Sequence, residues 1–374
     1  MTVGEQDTSS SAVWLVETRF DTIVPPYEPV IGGDTLFDIS NVSADDERRD
    51  RSAVMGLFAS AHAHYLSEVD ERLRVELGYS MRKAMDNGEY TLVVSRFKLV
   101  FNKPFALSNP NVRTRFSRVD GKKDKLLSYQ ELGNGEVICI TEFSCVSIDK
   151  NDPKMVRPKE LPPEIDKMLS ILYGNEVYSY DNIDKAPHGN SIVCKFNGRE
   201  VSFYVDADDV RGLVNTTVIN KGLDHVGYSR FFELFNLGFT SYINAINTFM
   251  EENYGYSFSS YLKEHGYSLM LLESSVDCFG QVFGNDRVSV STTLATFDSS
   301  DDELEQESLS TGQLFLNVLQ KIQVPEVSRR GIYQGRTKIR SKSTLCFVDV
   351  NTHRPVRIPQ GILDILRKFN SPSQ

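Results

Sequence analysis

The sequence contains one short tail twice, and this repeat constrains the fold more than any other feature of the chain. The first copy runs Cys145-Val-Ser-Ile-Asp-Lys-Asn-Asp-Pro-Lys-Met-Val-Arg-Pro, and the second runs Cys346-Phe-Val-Asp-Val-Asn-Thr-His-Arg-Pro-Val-Arg-Ile-Pro. Each copy is an apolar strand pattern with a polar turn, then Val-Arg, a proline and the pattern of a short amphipathic helix. Two copies of one ending predict two copies of one fold.

The elements before the two tails come in the same order, which supports the duplication. Tyr90 opens an apolar strand in the first copy, and Tyr267 opens a similar strand in the second. The copies are offset by 177 residues at these tyrosines (267 minus 90) and by 201 at the cysteines (346 minus 145). The second copy therefore carries roughly two dozen extra residues, and the acidic stretch at 298–307, together with the residues just after it, is the predicted insertion.

The length of the chain favours two domains. A chain of 374 residues exceeds the usual size of a single hydrophobic core. The composition, 40% hydrophobic and 25% charged, is ordinary for a soluble globular protein. The predicted organisation is a disordered leader at 1–12, a first domain at 13–173, a linking segment at 174–209, and a second domain at 210–374 with an insertion near 298–330.

Composition also excludes several classes of function. No apolar run approaches the roughly 20 residues that span a bilayer, and the N-terminus lacks the regions of a signal peptide, so we expect a cytoplasmic protein with no membrane partner. Five cysteines without a CxxC pair predict reduced thiols rather than disulfides or a zinc site. The net charge of -10 argues against a nucleic-acid partner. No metal site or cofactor is predicted, because the six histidines show no ligand spacing.

Hydrophobic periodicity predicts an α+β fold with the same plan in each half. Apolar residues at helical spacing predict one long helix over 53–77 and another over 228–253, the second apolar on much of its circumference. The strands that follow are connected too tightly for parallel crossovers, so we expect antiparallel meanders that bury the helices. The predicted strands are 14–24, 90–101, 111–119, 125–132, 136–148, 214–219, 268–283, 287–297, 331–341 and 343–350, with a hairpin at Asn197-Gly198.

The stretch His225-Val-Gly-Tyr-Ser-Arg-Phe-Phe-Glu-Leu-Phe opens the second helix and carries a family resemblance. Together with the order of the elements, this stretch resembles the hotdog-fold thioesterases of the 4-hydroxybenzoyl-CoA and acyl-ACP type. Members of that family typically show His-Val-Asn-Asn-Ala-Arg-Tyr-Leu-Glu at the start of the helix. His225, Val226, Arg230 and Glu233 match that stretch directly. In the first half, the residues from His62 to Glu68 resemble its later part. The resemblance implies two tandem hotdog domains, each a long helix wrapped by a curved antiparallel sheet.

The resemblance also implies hydrolysis of an acyl thioester. Backbone N–H groups at the start of a buried helix would polarise the carbonyl, and a carboxylate would act as general base on water or as nucleophile. A helix cap for Asp224, a solvated position for Glu233 and a packing role for His225 are the alternatives. The predicted catalytic residues are Asp224, His225 and Glu233, and the predicted substrate-binding residues at the helix start are Val226, Gly227, Tyr228 and Ser229.

The first half offers a candidate second site made of His62, Glu68 and Asp70. His62 and His64 are two apart, so on a helix they point to different faces and cannot serve one site together. The alternative is that the first half has lost catalysis and serves as the partner that a single-domain enzyme obtains by dimerising.

Cations alternate in the sequence Gly335-Arg-Thr-Lys-Ile-Arg-Ser-Lys, which on a strand places Arg336, Lys338, Arg340 and Lys342 on one face. This face could meet the phosphates of coenzyme A or the acidic surface of an acyl carrier protein, or it could be a solvated outer face. The expected partner is therefore an acyl carrier protein or coenzyme A thioester, with a homodimer of two-domain chains as an option. The rival functions are a hotdog dehydratase or isomerase acting on a carrier-bound chain, and a non-catalytic acyl-binding protein.

Overall fold

The computed structural model describes thirteen stretches of the chain, and these fall into two units. The described residues are 16–19, 51–102, 111–148, 156–173, 177–178, 199–206, 226–283, 286–294, 315–324, 326–328, 331–333, 335–352 and 354–370. The first unit contains β1 (Val16–Arg19), α1 (Arg51–Leu77), α2 (Met81–Asp86), β2 (Thr91–Phe101), β3 (Asn111–Val119), β4 (Lys122–Leu132), β5 (Val137–Ile148), β6 (Val156–Pro158), α3 (Pro163–Tyr173) and β7 (Val177–Tyr178).

The second unit repeats this plan with additions. It contains β8 (Val201–Asp206), a 3₁₀ turn (Tyr228–Arg230), α4 (Phe231–Tyr254), α5 (Phe258–Glu264), β9 (Tyr267–Cys278), β10 (Arg287–Leu294), β11 (Phe315–Gln323), β12 (Glu326–Ser328), β13 (Gly331–Tyr333), β14 (Thr337–Asp349), β15 (Pro355–Val356) and α6 (Gln360–Asn370). None of the described helices is long and apolar enough to cross a membrane.

The two units share one continuous sheet, in which each unit has the same strand order. The path is β1-β3-β4-β5-β2-β9-β14-β11-β10-β8, so both units place their five main strands in the order first, third, fourth, fifth, second, and join at their second strands. At the joint, Phe97 pairs with Val276 and Leu99 pairs with Ser274 in antiparallel register. Strands β2 and β9 are opened by the equivalent tyrosines Tyr90 and Tyr267, so residues of these two strands that are 177 apart are equivalent. An approximate two-fold axis therefore exchanges the two pairs. The structure confirms the predicted α+β class with two tandem hotdog units.

Each unit buries one long helix against its half of the sheet. The core of the first unit lies under the C-terminal part of α1, that of the second unit under α4 and α6, and a third cluster at the joint takes side chains from both. Helix α1 ends as predicted at Gly78, whose φ of 65° is left-handed backbone that glycine adopts without strain. The joint cluster includes Val54, Met55, Phe58, Phe97, Leu99, Phe231, Phe232, Phe235 and Val276.

A glutamine ties the sheet of the first unit to its helix. The side-chain nitrogen of Gln130, on β4, donates to the backbone carbonyl of Phe58 at 2.9 Å and to Thr114 Oγ1 at 3.1 Å. Gln130 is fully buried, and a buried amide needs such partners.

The second unit has the same arrangement. The side-chain nitrogen of Gln320, on β11, donates to the carbonyl of Phe235 at 2.6 Å and to Thr292 Oγ1 at 3.0 Å. Phe58 and Phe235 are therefore equivalent, and they are 177 residues apart, the same offset as the two strand-opening tyrosines.

This equivalence corrects the predicted alignment of the first helix. At an offset of 177, Tyr65 corresponds to Tyr242, and both are almost completely buried, at 1% and 0% exposure. The resemblance matched the residues from His62 to Glu68 to the later part of the motif, which puts Tyr65 at the motif's tyrosine, the position that Phe231 takes in the second half. That alignment is wrong by 11 residues, or about three turns. The position of Glu233 in the second helix is taken by Gly56 in the first.

The register of the repeated tail also differs from the prediction. On β5, Cys145 pairs with Leu92, and on β14, Phe347 pairs with Leu269. Since Leu92 and Leu269 are 177 apart, Cys145 corresponds to Phe347 and not to Cys346. The two cysteines consequently lie on opposite faces of the sheet, as a one-residue slip requires. The repeat is real, but the identical residues that revealed it are not equivalent.

The predicted two dozen extra residues form two separate insertions. Thr114 and Gln130 face each other across β3 and β4 and are 16 residues apart, whereas Thr292 and Gln320 are 28 apart. Twelve residues are therefore inserted between the third and fourth strands of the second unit.

The other twelve lie between the fourth and fifth strands. Gln130 and Cys139 pair at a separation of nine residues, whereas Gln320 and Ser341 pair at 21. The hairpin of β12 and β13 lies in this second insertion. The region 298–330, predicted as one insertion, therefore includes β11, a main strand of the sheet.

Strand boundaries in the second unit differ from the prediction at two places. Residues 331–341 and 343–350 were expected as two strands, but 337–349 is one continuous strand. The predicted linking segment 174–209 includes β8, which pairs with β10 as the first strand of the second unit. The predicted strand at 214–219 and the Asn197-Gly198 hairpin lie outside the described residues.

Candidate functional site

The start of α4 lies inside the protein at the joint between the units. The N–H group of Val226 donates to the carbonyl of Val282 at 2.8 Å, which anchors the stretch to the segment after β9. Gly227 is extended, and the 3₁₀ turn that follows closes with the Arg230 N–H on the Gly227 carbonyl at 2.9 Å. Val226 and Phe231 are buried, at 3% and 5% exposure. The first N–H groups of the helix are thus held in a largely apolar environment.

The predicted residues around this turn are only partly described. Val226, Gly227 and Tyr228 are described in full, and of Ser229 only the backbone is described. Asp224 and His225 lie outside the described residues, so their predicted catalytic roles stay predictions.

Tyr228 connects this turn to the helix of the first unit. Its hydroxyl lies 2.7 Å from Nδ1 of His62, and Nε2 of His62 lies 2.6 Å from Oγ of Ser128 on β4. The Tyr228 ring also packs edge-on against Phe97, with 5.8 Å between ring centroids. A chain of three polar side chains therefore crosses the joint from the sheet of the first unit to the helix start of the second.

His62 is neutral in this setting. Its side chain is 4% exposed, and its ring lies 5.3 Å from that of Phe143 and 5.9 Å from that of Phe116. Burial lowers the pKa of His62 to about 3, because the charged imidazolium would lose its hydration. Burial likewise raises the pKa of Tyr228 well above its ordinary value. At neutral pH the chain therefore consists of uncharged groups.

Glu233 forms an ion pair with Arg230 on the first turn of α4. The Arg230 side chain is 5% exposed and that of Glu233 is 26% exposed. A buried guanidinium needs a counter-charge, and an acidic residue in the first turn of a helix also interacts favourably with the helix dipole. The carboxylate of Glu233 is thus engaged by a neighbouring side chain rather than free in a cleft.

The structure does not bring the candidate second site together. His62 points inward, whereas Glu68 and His64 are exposed on other sides of α1. Asp70 accepts hydrogen bonds from Ser80 Oγ at 3.1 Å and from the Arg82 N–H at 3.0 Å. Asp70 therefore organises the start of α2, and of the three residues only His62 faces the joint.

The predicted alternation of cations on β14 is present. Lys338, Arg340 and Lys342 point away from α4, while Ile339 and Ser341 between them are buried on the helix side. This set of outward cations, with the exposed Arg336 just before the strand, is the basic strip.

An acidic residue of the same sheet, Asp277, neutralises part of the charge of the basic strip. Arg340 donates to Asp277 at 2.8 Å and lies over the ring of Phe279 at 5.2 Å. Asp277 also accepts from Arg96 at 2.9 Å.

The described cysteines are free and have the character of inert thiols. Cys139, Cys145 and Cys346 are buried and Cys278 is half-buried. Burial raises the pKa of Cys139 to about 12, of Cys145 to about 11 and of Cys278 to about 12, so little thiolate forms at neutral pH. Cys194 lies outside the described residues.

Several solved structures are similar to this chain. A putative oleoyl thioesterase from Lactobacillus plantarum matches with 11% identity and a TM-score of 0.47, covering 85% of this chain and 94% of that one. A 12:0-ACP thioesterase from Umbellularia californica matches with 10% identity and a TM-score of 0.48, covering 91% and 97%. The probable thioesterase YbaW from Escherichia coli covers 46% of this chain and 98% of its own, with 11% identity and a TM-score of 0.30. No family model and no curated protein matches.

Proposed function

We propose that this chain is a thioesterase that hydrolyses an acyl thioester carried on an acyl carrier protein or on coenzyme A. The observation that supports it is the start of α4, which lies buried at the joint of two hotdog units beside the polar chain of Tyr228 and His62. The first N–H groups of a helix have no intrahelical acceptor. In surroundings of low dielectric they stabilise an oxyanion strongly.

In the proposed reaction, the thioester carbonyl lies against the N–H groups of residues 227–229, since the N–H of Arg230 is used to close the turn. A carboxylate takes a proton from water, the hydroxide attacks the carbonyl carbon, and the oxyanion of the tetrahedral intermediate is held by the N–H groups. The intermediate collapses, the C–S bond breaks, and the thiolate takes up the proton.

Asp224 is the proposed base, because the carboxylate of Glu233 is already engaged by Arg230. His225 is proposed to orient the water or the thioester. Glu233 then has the role of holding Arg230, and with it the geometry of the turn.

The basic strip is the proposed contact for the carrier. Asp277 offsets part of the charge of Arg340, so Arg336, Lys338 and Lys342 supply most of the positive charge of the strip in an otherwise acidic protein. Phosphates of coenzyme A and the acidic surface of a carrier protein would both be attracted, within a screening distance of about 10 Å at 0.1 M salt.

Free thiol released from a panel of acyl-CoA and acyl-carrier thioesters tests the proposal. We expect thiol release by the wild type, a large loss of turnover in Asp224→Asn, and a smaller loss in Glu233→Gln. Glu68→Gln, an exposed carboxylate on α1, is the matched control. An enoyl product would indicate a dehydratase instead, and a retained acyl chain without thiol release would indicate a binding protein.

A further inference from the structure

We propose that the hydroxyl of Tyr228 donates a hydrogen bond to the carbonyl oxygen of the bound thioester, and that His62 and Ser128 of the first unit fix it as a donor. Tyr228 would then be a catalytic residue and His62 a positioning residue. This inference rests on the proposed thioesterase function and assigns the first unit a part in the site of the second.

The direction of the polar chain follows from Ser128. This residue is completely buried, and within the described part of the chain its hydroxyl has one hydrogen-bond partner, Nε2 of His62. A buried O–H without an acceptor is costly, whereas an unused lone pair on a hydroxyl is not. Tyr228 is only half-buried, so its O–H can reach a partner from outside the protein, whereas that of Ser128 cannot. The favoured arrangement therefore has the Ser128 hydroxyl donating to Nε2.

The tautomer of His62 then determines the role of Tyr228. A neutral imidazole carries one N–H and one bare nitrogen. With Nε2 accepting from Ser128, the hydrogen is on Nδ1 and is donated to the oxygen of Tyr228 over 2.7 Å. The O–H of Tyr228 cannot be used in that contact, so it is available for another acceptor.

Within the described residues, no protein group accepts this hydrogen bond, since His62 is the hydrogen-bond partner that Tyr228 has there. Tyr228 belongs to the turn that opens α4, the same turn whose N–H groups are proposed to receive the thioester carbonyl. A thioester carbonyl beside the Tyr228 hydroxyl would supply the missing acceptor. Because burial raises the pKa of Tyr228, the hydroxyl keeps its proton and stays a donor.

The second unit lacks the residues that would make the reciprocal contact. Phe239 stands at the position equivalent to His62, and Val318 stands at the position equivalent to Ser128, as the two glutamine contacts define them. Both are buried apolar side chains. Support therefore runs in one direction, from the first unit to the helix start of the second.

Kinetics of three variants test the inference. We expect Tyr228→Phe to lower kcat about a hundredfold with little change in KM, the size of effect seen when one oxyanion donor is lost. His62→Phe should lower kcat similarly, and the double variant should show no further loss. His62→Asn, whose amide can still donate to Tyr228, should recover much of the rate. Tyr242→Phe is the matched control. It removes another tyrosine hydroxyl, on α4 itself, that is hydrogen-bonded to Asn370 at 2.8 Å.

Vibrational spectroscopy separates this inference from the proposed function. In Asp224→Asn loaded with acyl thioester, the bound carbonyl stretch should move to higher frequency when Tyr228→Phe is added. If the wild type hydrolyses thioesters but neither kcat nor the carbonyl frequency responds to Tyr228→Phe, the inference is wrong and the thioesterase function stands. If the wild type hydrolyses none, the proposed function itself is wrong. Additive losses in the double variant would also overturn the coupling of Tyr228 to His62.

Discussion

The side-chain nitrogen of Gln320 donates a hydrogen bond of 2.6 Å to the backbone carbonyl of Phe235, from the sheet to the second turn of the helix that the sheet buries. Such a contact fixes the helix along and across the strands, because sliding the helix by one residue would leave a buried amide without its acceptor. In the first unit, Gln130 makes the equivalent contact to the carbonyl of Phe58. The pair is therefore a structural marker of the duplication that does not depend on similar sequence.

Replacing Gln320 by methionine should lower the free energy of unfolding by about 1–3 kcal/mol, since the amide contacts to Phe235 and Thr292 are lost at nearly constant volume. Gln130→Met should cost less. In the first unit, Oε1 of Gln130 is buried without a hydrogen-bond partner among the described residues, so the substitution also removes an unsatisfied oxygen. Urea unfolding monitored by fluorescence measures both, and equal losses would contradict this account.

Helix α4 approaches the sheet closely at Gly238. A Cβ at this position would lie 2.5 Å from Cγ1 of Val290 and 3.1 Å from Oγ1 of Thr292. Gly238→Ala should therefore destabilise the protein by about 1–2 kcal/mol, because overpacking outweighs the helix preference of alanine.

The matched control is Gly56→Ala on α1, where nothing lies within 4 Å of the new Cβ. This variant should gain about 0.5–1 kcal/mol from the helix preference of alanine. Thermal unfolding of the two variants should shift Tm in opposite directions, and a loss of Tm in both would refute the packing explanation.

The buried His62 predicts a loss of stability in acid. Its pKa is about 3 in the folded protein against an ordinary value near 6.5. Between these values the unfolded chain binds more protons than the folded protein, so the free energy of unfolding rises with pH across this window and falls as pH is lowered. From pH 7.5 to pH 5 the contribution of His62 is a loss of about 2 kcal/mol.

Urea unfolding of the wild type and of His62→Asn at several pH values measures this contribution. The difference between the two proteins in free energy of unfolding should change with pH below about 6.5, in the direction that favours the variant in acid. His64→Asn, an exposed histidine on the same helix, should show the wild-type dependence. If the free energy of unfolding of His62→Asn fell with decreasing pH as steeply as that of the wild type, His62 would not be buried in its neutral form.

Local periodicity was sufficient to predict the α+β class and the two long helices. The long helix α4 buries ten residues at helical spacing, a pattern that a sequence displays directly. Strand β11 was missed for a physical reason. Its inward residues are Leu316, Val318, Gln320 and Ile322, and the polar Gln320, buried to hold the helix, interrupts the apolar alternation.

Contacts between segments that are far apart in the sequence could not be predicted from local patterns. His62 and Tyr228 are 166 residues apart, and nothing near either residue indicates the other. Register was equally hidden, because Cys145 and Cys346 are identical in type while occupying opposite faces. A repeated residue reports that two segments are related, whereas only the pairing with neighbouring strands reports which residues are equivalent.

The joint between the units contains a buried ion pair, which is the basis of the last prediction. Nζ of Lys98 on β2 lies 3.5 Å from the carboxylate of Glu273 on β9, and their side chains are 6% and 17% exposed. Removing one partner of such a pair leaves a charge in surroundings that cannot solvate it.

Lys98→Met should therefore lower the free energy of unfolding by about 3–5 kcal/mol, because Glu273 would lose its counter-charge at the strand pair that joins the two units. The double variant Lys98→Met with Glu273→Leu should recover much of that loss, since it leaves no buried charge. As the control, Lys123→Met breaks an exposed pair with Glu160 at 3.6 Å and should be neutral within error. Urea unfolding measures all three, and a double variant at least as unstable as Lys98→Met would show that packing, and not the isolated charge, dominates at the joint.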